Sequence, residues 1–72
     1  MSKYYIPFPR PDLSQKDLEL LIRDYQESFN TVQHIGVKKF DGQRLLLLYE
    51  ALETHYGVTV SPDLIDHVKS FL

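Results

Sequence analysis

Between Gln43 and Leu72 the chain punctuates itself so sharply that few folds remain open to it. Leu45, Leu48, Tyr49, Leu52 and Tyr56 recur at helical spacing, and the run then meets Gly57. Glycine is the residue that most readily takes the left-handed conformation closing a helix. Val58-Thr59-Val60 reads as a short extended connector. Ser61, Pro62 and Asp63 then supply a cap, a first-position proline and a first-turn acid for another helix. Leu64, Ile65, Val68, Phe71 and Leu72 make that helix's apolar face. Leu46 and Ala51 flank the main stripe of the preceding helix, and Leu47 projects from its far side near Glu50 and Thr54. A helix apolar this far round is either central in its domain or touches something beyond it.

Upstream, the spacing predicts a first helix from about Gln15 to Phe29. Ser14 is a good N-cap, with Asp17 three residues on, and Leu13 can staple onto Leu18. Leu18, Leu21, Ile22, Tyr25 and Phe29 share one stripe, while Leu20 projects to the polar side. Asn30 is a candidate left-handed stop. Residues 31–42 are ambiguous between a single turn closed by Gly36 and a short strand, which would pair Val37 with the Val58–Val60 connector. Asp41-Gly42 reads as a turn, with Asp41 capping the next helix. Residues 1–13 read as an extended arm, because Pro7, Pro9 and Pro11 on alternate residues forbid helix. Tyr4, Ile6 and Phe8 would then line one side of it.

The expected fold is therefore all-α: a small bundle of three main helices over 14–72, with an extended proline-containing arm over 1–13. The expected core is Leu18, Leu21, Ile22, Tyr25, Phe29, Leu45, Leu48, Tyr49, Leu52, Tyr56, Leu64, Val68 and Phe71. At 72 residues such a core is small, and without cysteine neither a disulfide nor a thiolate metal site can reinforce it. Burial against a partner is the remaining source of extra stability.

The chemistry for catalysis is thin. The serines stand in no nucleophile motif, and His34, His55 and His67 are dispersed with no close ligand pair. Gly36, Gly42 and Gly57 read as turns or stops, not as a phosphate loop. No enzyme activity, metal or cofactor is expected. A net charge of −2, from ten acidic and eight basic residues, gives no broad attraction to nucleic acid or anionic lipid. The longest apolar run, Leu45 to Tyr49, is far too short to span a bilayer, and no stretch has signal-peptide length. The expected setting is soluble and cytoplasmic, with no membrane partner.

The run Leu48-Tyr-Glu-Ala-Leu-Glu-Thr-His-Tyr-Gly-Val-Thr-Val60, set within Gln43–Leu72, resembles the latter half of an acyl carrier protein. The resemblance covers less than half the chain and implies a similar small helical bundle. It does not extend to function. That family attaches its prosthetic group to a serine at the start of this helix, where this chain reads Lys39-Phe40-Asp41-Gly42.

Two functional readings follow. The favoured one is a non-catalytic interaction module, a regulator, inhibitor or adaptor that binds a protein partner or itself as a homodimer. Its contacts would be Tyr4, Tyr5, Ile6, Phe8, Leu20 and Leu47, the apolar residues left over once the packing stripes are filled. The alternative is a nucleic-acid-binding regulator, since two helices joined by a short turn resemble a helix-turn-helix, with Lys38, Lys39 and Arg44 as phosphate contacts. Pro62, Asp63 and Asp66 argue against it, because a recognition helix needs basic or amide side chains at its leading end.

Overall fold

The computed structural model describes residues 8–72, so Tyr4, Tyr5 and Ile6 of the predicted contact set lie outside the described residues. Three helices follow in order: α1 (Gln15–Thr31), α2 (Ile35–Tyr56) and α3 (Pro62–Lys69). No strand occurs among the described residues, so the predicted ladder between Val37 and the Val58–Val60 connector does not form. The all-α expectation holds.

α1 begins as its sequence dictates. The Ser14 hydroxyl accepts the Asp17 N–H at 3.2 Å, and half-buried Leu13 packs against the same core as Leu18. The helix does not stop at Asn30. It continues to Thr31, whose hydroxyl donates back to the Glu27 carbonyl at 2.8 Å, and ends where Val32 turns extended.

α2 is longer than its apolar stripe indicates. It starts at Ile35 because His34 is its N-cap: Nδ1 accepts the N–H of Gly36 at 3.1 Å and of Val37 at 3.4 Å. Gly36 is therefore a first-turn residue and not a stop. Asp41 is not a cap either. It lies inside α2 with Gly42, and both are buried. Gly57 closes α2 as predicted, at φ 68°, with its N–H bonded to the Glu53 carbonyl and that of Val58 to the Leu52 carbonyl. The connector then turns Val60 inward. Its N–H donates to the Glu53 carboxyl at 3.1 Å, and its side chain joins the core. Pro62 opens α3 at the first helical position, although Ser61 makes no side-chain capping bond.

The core centres on α2. Phe29, Leu45 and Leu48 are the largest side chains fully withdrawn from solvent, and Leu18, Ile22, Tyr49, Ala51, Leu52, Val60 and Val68 complete the buried set. Ala51 and Val60 were not in the expected core. Leu21, Tyr25 and Phe71 pack at its edge, whereas Tyr56 and Leu64 stay exposed. Tyr56 is placed by its hydroxyl, which donates to the Leu13 carbonyl and keeps the ring at the rim. At Gly42 side chains from α1 and α3 both crowd against α2. A Cβ there would stand 3.0 Å from the Phe29 ring and 3.3 Å from Val68. α2 thus has α1 and α3 on one flank, while the segment from Phe8 to Leu13 borders the other side of the α1–α2 pair.

Candidate functional site

Among the side chains of α2 that do not face the core, two groups have different fates. The first, Lys38 and Arg44, is engaged by the fold itself. Lys38 reaches back to the end of α1, where its ammonium donates to the Phe29 carbonyl at 2.7 Å and sits 4.4 Å from the ring centroids of both Phe29 and Phe71. A cation at a helix C-terminus meets unpaired carbonyls and the negative end of the helix dipole, so this is a stabilising position. The Arg44 guanidinium lies between two rings, 4.0 Å from Phe8 and 4.7 Å from Phe40. Of the three predicted phosphate contacts, Lys38 and Arg44 are half-buried in these clamps, and Lys39 is exposed.

The second group forms an open flank. Phe40 is 50% exposed and Leu47 44%, and between and beyond them Lys39, Gln43, Glu50 and Thr54 are exposed as well. Steps of three and four residues join 36, 40, 43, 47, 50 and 54, so these positions form one seam along the helix. Leu47 also lines a groove of about 350 Å³ between α2 and the Phe8–Leu13 segment, whose walls include Phe8, Pro11, Leu18, Ala51 and Tyr56. Phe8 itself is half-buried and set edge-on to Tyr25 at 5.8 Å.

Leu20 is the outlier of the predicted contact set. It is 45% exposed, but it lies two residues from both Leu18 and Ile22, which are buried. Two residues are about 200° of helix, so Leu20 points away from α2 and does not line the groove. The structure brings Phe8 and Leu47 together and leaves Leu20 on separate surface. Phe40 was missed. Asp41-Gly42 read as a turn, which removed Phe40 from helical register with Leu47. Extending the helical period back through that dipeptide would have found it.

The ionisable groups near the groove are mostly solvated. Arg10 and Asp12 form an exposed ion pair at 2.8 Å, and the hydrogen bond from Arg10, followed by one from the Asp12 backbone, holds the Asp12 carboxyl below its ordinary value. Asp41 is different: it is buried inside the α1–α2 packing, where the Ser28 hydroxyl donates to it at 2.5 Å. Among the described residues no three His, Asp or Glu side chains converge as a metal set, and no helix is long and apolar enough to cross a membrane.

The chain matches no protein-family profile, no curated protein and no solved structure.

Proposed function

We propose that this chain is a non-catalytic protein-interaction module, a small regulator, inhibitor or adaptor, that binds through the outer flank of α2 and the groove beside it. One observation carries the reading. α2 is apolar on two flanks, and only one is covered: Leu45, Leu48 and Leu52 are buried, while Phe40 and Leu47 each leave close to half their surface in water. Two large side chains held half-open on a rigid helix, next to an apolar groove, are the makings of an anchor site. The polar neighbours Gln43 and Glu50 would form its rim.

The test uses Phe40→Asp and Leu47→Asp in the full chain. Both variants keep wild-type helical content by circular dichroism, because neither side chain is in the buried set. Both lose the protein partners that the wild type captures from host extract. Capture that survives both substitutions would place the contact elsewhere.

A further inference from the structure

The open flank of α2 is self-complementary, which identifies one partner it fits. On this flank the order is cation, apolar, neutral polar, apolar, anion: Lys39 at the edge of the seam, then Phe40, Gln43, Leu47 and Glu50 along it. The midpoint between 39 and 50 falls at Arg44–Leu45, and that between 40 and 47 at Gln43–Arg44. Both pairs therefore centre on the same turn. A second copy related by a two-fold axis through that turn, with its α2 antiparallel, meets every group with its complement. Building on the reading of this flank as an interaction surface, we propose that a second copy of this chain seats on it, Phe40 against the partner's Leu47 and Lys39 against the partner's Glu50, each contact made twice.

The alternatives fit worse on the same residues. A parallel pairing would set Lys39 against Lys39 and Glu50 against Glu50, and would align the two helix dipoles. The antiparallel one opposes the dipoles and matches the charges. The Arg44 side chains do not obstruct the axis, because each is turned aside into its own Phe8–Phe40 clamp. Gln43 is the exposed residue that faces the axis, and a neutral amide meets its own copy without repulsion. One helix flank is smaller than the ~800 Å² per partner of a standard interface, so the pairing is expected to be weak, with a dissociation constant in the micromolar range.

The experiment is a charge exchange read by sedimentation equilibrium on the full chain, from ~1 to ~500 µM, a range that brackets that constant. The wild type goes from monomer to dimer across the range. Lys39→Glu alone and Glu50→Lys alone each dimerise at least about tenfold more weakly, because every interfacial charge pair turns repulsive. An equimolar mixture of the two variants recovers the wild-type constant, since one chain then carries acids at both positions and the other bases at both. Circular dichroism of each variant establishes that it is folded, and recovery on mixing shows it again. A wild type that stays monomeric at the highest concentration overturns the self-pairing. The capture experiment with Phe40→Asp and Leu47→Asp is then unaffected and judges the interaction surface separately. A dimer indifferent to both charge variants, or one that fails to recover on mixing, overturns this register and orientation.

Discussion

The two flanks of α2 are built from the same kinds of residue, yet they meet opposite surroundings. On the inner flank, Gly42, Leu45, Leu48 and Leu52 are packed against α1 and α3, and Leu48 has no exposed surface at all. On the outer flank, Phe40 and Leu47 lie 50% and 44% open. Leu47 and Leu48 are adjacent in sequence and identical in chemistry, so composition cannot account for the difference. Topology does. α2 is a single 22-residue rod, and among the described residues only two further helices stand against it. Both lie against the inner flank. On the outer side, among the described residues, the short segment from Phe8 to Leu13 borders Ala51 and leaves Leu47 and Phe40 open.

The strongest way to break this comparison is at Leu48. Leu48→Ala removes a side chain with no access to solvent from the buried core and leaves a cavity behind it. The expected loss is about 3–5 kcal/mol. A domain of this size has on the order of 5–10 kcal/mol in total, so a thermal melt shows a midpoint lowered by roughly 15 °C or more, or no cooperative transition. A smaller loss, within about 1 kcal/mol, would mean that the inner flank is loosely packed.

The inner flank also has a polar contact whose two halves should not be equal. Ser28→Ala leaves the buried Asp41 carboxyl without its donor and is expected to cost about 2 kcal/mol. Asp41→Ala removes the costly buried group, improves helix propensity and leaves a hydroxyl that can turn to a carbonyl of its own helix, so it should cost about half as much. Urea titrations of the two variants decide the order. If Asp41→Ala is the more damaging, the carboxyl contributes net stability and is not merely tolerated.

These same residues show how far the fold was legible in the sequence. Ser14, Gly57 and Pro62 act through local chemistry, and each marks the helix end expected of it. The start of α2 was not legible, because its determinants are tertiary. Asp41-Gly42 is a turn signal by local rules. Here the carboxyl finds Ser28 of another helix, and the missing Cβ admits Phe29 and Val68. The His34 cap then begins the helix at Ile35, nearly three turns before the apolar stripe opens at Leu45. Phe40 was hidden by the same error, so half of the open flank went unread while Leu47 was found by its position on the wheel. Gly42→Ala isolates the effect. Alanine would gain up to about 1 kcal/mol of helix propensity, but its methyl would stand 3.0 Å from a Phe29 ring that is only 1% exposed and wedged against Lys38, His67 and Phe71. Overpacking at a site this tight costs about 1–3 kcal/mol, leaving a net loss of about 1 kcal/mol by urea titration. A net gain would show that the ring can yield and that the glycine is a propensity defect only.

The smallest effect is expected one residue from the largest. Leu47→Ala removes the same atoms as Leu48→Ala, but nearly half of that side chain is already in water, and its groove opens to solvent, so no cavity is sealed behind it. The hydrophobic loss is about 1 kcal/mol, offset in part by alanine's better helix propensity, and the net should fall below 1 kcal/mol. This holds for dilute protein, where each chain is alone. At concentrations that favour pairing, the wild type gains stability by mass action and the variant does not, so the gap between them widens with concentration while the Leu48→Ala gap stays fixed. Urea titrations at two protein concentrations separate the terms. A Leu47→Ala cost that matches Leu48→Ala in dilute solution would mean that α2 is buried on both flanks, and the open surface on which both proposals rest would not exist.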